Sequence, residues 1–524
     1  MKKDKFAKGL FAAVLLTTSM ISCSEDVMDS INVDRNHATD VQAKFIVTDL
    51  ITSTAFNTTG GDISLYTSIY MEHEVGIHNQ MFNSETRNGE PYLASTFNNV
   101  WGSTYQNLKN AMTVIKKCSE GGPEENNKVT LAVGQIFAAY NLAVLTDAFG
   151  DVPWTEAGNL NEFMQPKVDK QETIYPEIIG LLDAAIANLA GSDVTAMGAN
   201  DILYAGNAAK WKKAAYGLKA RYTMHTILKA SDKNAALNTV LDCVSKSFTS
   251  ASEEMKFDLY DAGSTFNPYH SFCWSRDGLA ASESLAELFD SRNDPRGLQA
   301  FMTASWVQVS DLSKLYAAPN GSPEQLQFEY DTSLMYGAET APTMMLSYHE
   351  LLFLKAEALV RLDRVNDAES VLKDAMSAAF ENFGNSINAA LNSPTLNATK
   401  IRAKSPTNGI LGTSTIDASV AESYFDSTVK GLFTANPLKE VMVQKYLAFY
   451  GASGESFEAY NDYRRCMGLG EKFIELKNPK NSSQFPLRLP YGSDDVLANQ
   501  NIKAVFGDGQ YVYTEKVWWA GGSR

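Results

Sequence analysis

Residues 73–78, HEVGIH, come near the HExxH signature of zinc proteases but carry one residue too many. On a helix, His73 and His78 would project about 140° apart, so two imidazoles at that spacing cannot meet on one metal ion. Gly451-Ala452-Ser453-Gly454 lacks the spacing of a nucleophile elbow. No Walker loop occurs and no GxGxxG follows a strand, which argues against a nucleotide cofactor. The six histidines adjoin no obvious serine or cysteine nucleophile. Cys118, Cys243, Cys273 and Cys466 are widely spaced with no CxxC pair, so zinc is disfavoured and buried free thiols are the preferred reading. Paired carboxylates for glycoside hydrolysis remain a second class, because 61 acidic residues offer many pairs and their separation is three-dimensional. Most of them read as solvated helix faces. No catalytic residue, metal ligand or cofactor is assigned, and the sequence is silent on a structural calcium ion.

What remains is binding chemistry. A pyranose presents C–H faces that stack on Trp or Tyr, while Asn, Asp and Arg take its hydroxyls. The stretch 257–327 supplies those types in one place: Asn267-Pro268-Tyr269, Trp274, Arg276 and Trp306, with Tyr260 and Tyr316 nearby. Tyr66 and Tyr70, in the segment 64–79, complete the candidate set. The competing reading is that these aromatics plug long loops onto a scaffold. Trp101 and Trp211 lie on helical stripes and are expected in the core.

The scaffold is legible in residues 348–380, YHELLFLKAEALVRLDRVNDAESVLKDAMSAAF. Leu352, Ala356 and Leu359 recur at helical spacing, and Ala368, Leu372 and Ala375 resume it after Leu362-Asp363-Arg364. Small residues at 356, 368 and 375 between bulky leucines match a tetratricopeptide-like helical hairpin, in which alanines let antiparallel helices approach. Two such helices cannot bury their own apolar stripe, so further hairpins must stack on them. Helices are expected over 41–56, 98–118, 129–149, 172–189, 208–229, 234–248, 438–450 and 456–466, giving about four hairpins in a mainly α, superhelical scaffold. Two stretches break the pattern: 257–327, rich in Gly, Pro, Asn and aromatics, and 382–416, rich in Asn, Ser, Thr and Pro. Long irregular segments in a compact protein usually carry function.

The first 22 residues read as an export signal. Lys2, Lys3, Lys5 and Lys8 precede the apolar run Leu10–Leu16, which is too short for a permanent membrane span. Met20-Ile21-Ser22-Cys23 resembles a bacterial lipobox, which makes Cys23 the acylated first residue of the mature chain. Residues 23–38 then form a polar tether ahead of one domain over 39–524. Ser24-Glu25-Asp26 resembles the acidic signal that sends some lipoproteins to the outer face of the outer membrane. A formal net charge of −16 argues against nucleic acid and anionic lipid as partners.

Several stretches together resemble the SusD/RagB family of outer-membrane lipoproteins. Residues 140–157, YNLAVLTDAFGDVPWTEA, are similar to its LTDxFGDVPYxEA segment, and Trp211 with 218–222, LKARY, to the helix that follows. Asp294-Pro295-Arg296, the QKY at 444–446, the EAYNDYRR at 458–465 and the RLPY at 488–491 resemble four later family motifs. Trp154, Tyr446 and Gly492 depart from the family's usual Tyr, Trp and Pro. The resemblance implies about four tetratricopeptide-like units with a loop-rich ligand-binding side. It also implies a non-catalytic surface protein that serves as lid to a SusC-like TonB-dependent outer-membrane transporter, capturing oligosaccharides or, in some members, peptides. The family pocket is its variable part, so no binding residue carries over by motif.

Overall fold

The computed structural model describes residues 41–88, 94–159, 162–309, 311–395 and 413–524. The export signal, Cys23 and the tether to residue 38 lie outside the described residues, as does the centre of the 382–416 stretch.

Helix α1 (Ala43–Ser53) runs into a π-helical turn at Thr54–Thr59, and α2 (Asp62–Tyr70) follows. Next come α3 (Asn98–Cys118) and α4 (Lys128–Phe149), close to the expected bounds. In α3, Trp101, Leu108, Ala111 and Val114 repeat every three to four or seven residues and are buried. Helix α4 is apolar on all sides because neighbours cover it all round: α3 and α5 (Gln171–Asn188) along its length, α1 and α6 (Ala208–His225) besides. By length and composition α4 could cross a membrane, yet it is the central helix of this fold.

The array continues through α6 and α7 (Lys233–Ser245), each packing on the helix before it. Two short helices belong to the irregular region, α8 (Pro268–Arg276) and α9 (Glu283–Ser291). Helix α10 (Tyr348–Arg361) packs on α7 and pairs with α11 (Val365–Leu391). Ala356, Ala368 and Ala375 are fully buried, as the close approach of two helices requires. The protein is therefore mainly α, built of stacked helical hairpins, and Trp101 and Trp211 lie in its core.

Three expectations need correction. Residues 382–391, read as irregular, continue α11: Phe383, Ile387, Ala390 and Leu391 extend the buried stripe, and the asparagines and serines that hid it lie between them. The expected last hairpin is also different. Helices α12 (Pro437–Ala448) and α13 (Ser456–Leu469) do not pack along their lengths. They are joined by a buried ion pair, Lys445 Nζ to Asp462 Oδ2 at 2.7 Å, while α12 packs on α10 and α13 on α2.

The 257–327 stretch is also more regular than expected. Three two-stranded antiparallel ribbons tie it down: β1 (Glu74–Gly76) with β3 (Leu279–Ala281), β2 (Met255–Phe257) with β6 (Thr343–Leu346), and β4 (Phe301–Met302) with β5 (Thr332–Ser333). Strands this short carry little sequence signal.

The end of α4 is clamped by the C-terminal segment. Leu489 N–H donates to the Ala148 carbonyl, Tyr491 Oη to that of Asp151, and Trp519 Nε1 to Asp147 Oδ1 at 2.8 Å. Gly150, at φ +85°, turns the chain where a Cβ would lie 2.5 Å from Arg488 Nη1. All four cysteines among the described residues are buried and free.

Candidate functional site

Helix α8 presents the aromatic surface. Asn267 caps it, its Oδ1 accepting from Tyr269 N at 2.9 Å, and Pro268 occupies the first turn. The Asn267 side chain also donates to the carbonyls of Ala341 and Ala452, fixing the helix start to two other segments. The ring of Trp274 lies parallel to that of the buried His270 (14° between planes, centroids 6.1 Å apart) and meets Trp306 at 5.1 Å and 55°. His270 Nδ1 donates to the Tyr336 carbonyl, which locks the imidazole, and burial lowers its pKa. Both tryptophans are half-buried, and Arg276 is exposed at the end of the helix with no carboxylate partner among the described residues.

Trp306 sits at the tip of a tight turn with φ +64°, a left-handed conformation unfavourable to a bulky side chain. Hydrogen bonds hold it there: Trp306 N to Thr303 O and Thr303 N to Val307 O, each 2.7 Å. Asp277 (φ +43°) and Phe328 (φ +62°) share the strained conformation and are joined by a 2.7 Å bond from Phe328 N to Asp277 Oδ2. Phe328 is 66% exposed. Strain of this kind persists only where surrounding structure enforces it, and it concentrates at binding sites. The buried carboxylate of Asp331 links this turn to its neighbour, accepting from Ala304 N and Tyr316 N. Tyr316, 53% exposed, stacks on Tyr330 at 4.9 Å.

The seven candidate residues therefore divide. Trp274 and Trp306 meet at the surface, and Arg276, two residues beyond Trp274, is exposed at the end of α8. Tyr66 and Tyr70 do not: both are buried, Tyr66 against Phe97 and Tyr70 beneath the Arg87 guanidinium. Their period on α2 is that of a core stripe, and a ligand could reach them only by displacing the core. Asn267 is a buried helix cap, and Tyr269, also buried, donates to Glu74 Oε1. These four are buried rather than at the surface. Sequence reading missed His270 and Phe328; a positive φ at a non-glycine residue leaves no mark in the sequence.

The HEVGIH motif resolves into scaffold. His73 Nε2 donates to the Tyr446 carbonyl, and burial lowers its pKa to about 3, so it stays neutral. Glu74 lies in β1; burial raises its pKa to about 8, against a smaller lowering by the Tyr269 bond. Among the described residues no group of three His, Cys, Asp or Glu is placed to hold a metal ion.

The motif residues outside this surface make the buried charge network. Asp147 accepts from Tyr175, His225 and Trp519, while Arg221 forms a buried ion pair with Glu350. Arg465 bonds Glu357 and Asp462, and Arg296 bonds Asp294. Residues 35–492 match the family described as "Starch-binding associating with outer membrane", SusD-like.

The chain belongs to the SusD-like family. A SusD/RagB family protein from Bacteroides thetaiotaomicron is 49% identical, with a TM-score of 0.87 over 93% of this chain and 100% of that one. A chitin-binding SusD homolog from Flavobacterium johnsoniae, at 17% identity and TM-score 0.65, covers 91% of this chain and 98% of its own. A second chitin-binding protein is 20% identical, with a TM-score of 0.67 over 90% and 99%. These two distant likenesses show the shared SusD-like fold. No curated protein matches the chain.

Proposed function

We propose that this SusD-like protein is a non-catalytic, cell-surface glycan-binding lipoprotein. It captures oligosaccharide and delivers it, as a lid, to a SusC-like TonB-dependent outer-membrane transporter. The observation that carries the ligand reading is the half-buried Trp274–Trp306 pair, with Arg276, which has no carboxylate partner among the described residues, at the end of the same helix. Two non-coplanar rings suit successive sugar faces along a bent or helical chain, and a guanidinium suits their hydroxyls. Family membership supports the carbohydrate class and the outer membrane; the lipobox at Cys23 supports a lipid anchor, and Ser24-Glu25-Asp26 an outward orientation.

Each stacking contact contributes about 0.5–1.5 kcal/mol, so an open surface of this kind binds one sugar weakly. Closure against the transporter would add contacts and exclude water. Electrophoresis through gels containing candidate polysaccharides tests the reading. Retardation without release of reducing ends is expected, and Trp274→Ala or Trp306→Ala should reduce it while co-purification with the barrel persists. Reducing ends accumulating over time would instead indicate a hydrolase. Retention by peptides and by no glycan would reverse the ligand class.

A further inference from the structure

The splayed contact between α12 and α13 leaves a hole. Where a packed hairpin would interdigitate, α13 presents Ala459 and Cys466 to Met442 and Tyr446 of α12, and a cavity of about 260 Å³ remains. Phe473 and Ile474 form part of its wall. The segment 472–476 that carries them makes no backbone hydrogen bond to the described residues, and is held by its side chains. Beyond this strap lies a second hollow of about 360 Å³, which shares Tyr446, Phe473 and Ile474 as its wall.

The lining decides what could enter. Tyr446 Oη is spent on the Met71 carbonyl, Asp462 on Lys445 and Arg465, and Glu471 on both terminal nitrogens of Arg361. These polar side chains are already partnered, and Lys472, which also borders the cavity, is exposed to solvent; the rest of the inner surface is Met, Tyr, Phe, Ile, Ala, Gly and a thiol held protonated by burial. Water needs two to four hydrogen-bond partners to occupy a cavity, whereas an apolar cavity of roughly 150 Å³ is enough for benzene. We propose that this cavity is a binding site for a neutral, apolar group the size of one aromatic ring or a short branched hydrocarbon, admitted by movement of the 472–476 strap. The site is separate from the tryptophan surface and stands without the glycan reading.

Thermal unfolding in graded toluene and indole tests it. The native protein should show a saturable rise in Tm of about 1–3 °C, unchanged in Trp274→Ala. Filling the cavity with Ala459→Leu should abolish the rise; if that variant does not fold, Cys466→Met serves in its place. No rise in the native protein, or an equal rise in a folded, filled variant, overturns the proposal.

Discussion

Trp306 combines a bulky ring with a backbone conformation that only glycine adopts freely, so its two properties can be separated by substitution. Trp306→Gly should relieve the turn by about 1 kcal/mol while removing half of the stacking pair. Glycan retention is then expected to fall with thermal stability held or raised; equal losses of both would make the ring a structural plug. Glu74 offers a second test. Its folded pKa of about 8 lies above the ordinary carboxylate value, so it favours folding most below about pH 4.5, and that contribution declines as pH rises through 8. His225 acts in the same sense: burial opposes its charge, but Asp147 and Glu458 raise its pKa to about 9, so its contribution fades from about pH 6.5 to 9. Glu74→Gln keeps an acceptor for Tyr269 but cannot ionise, and should be more stable than the native protein at pH 9 by ~1–3 kcal/mol. Urea midpoints across pH 5–9 would show it. At this scale the sequence was informative about residue type and poor on direction. Trp274 and Tyr269 sit five residues apart in one helix, and only the packing of α8 shows that one faces solvent and the other Glu74.

Helices with a strong period were legible and the short elements were not. The bounds of α3 followed from its stripe, and the α10–α11 pair from its alanine spacing. The tail of α11 was hidden by its Asn- and Ser-rich face, and the ribbons β1–β3 and β4–β5 are two or three residues long. The alanine argument can be tested. Ala375 is fully buried in the α10–α11 pair, so Ala375→Leu should overpack it at a cost of ~1–3 kcal/mol, read as a lower urea midpoint with helical content retained. A neutral result would mean that these helices have room to separate.

The molecule is held together by buried charges contributed from distant parts of the chain. Arg465, in α13, bonds Glu357 of α10 through both terminal nitrogens, and Arg361 shares that carboxylate. Removing one partner strands the others: Arg465→Ala should cost ~3–5 kcal/mol and lower the Tm without touching the aromatic surface. Such long-range pairings cannot be read from periodicity. Arg465, which makes one of them, stands in the stretch 458–465 that resembles a family motif. One of these closures sets the order of events in biogenesis. Trp519 is the donor that completes the Asp147 cluster at the centre of the fold, so the nascent polypeptide lacks its keystone until the ribosome has translated codon 519.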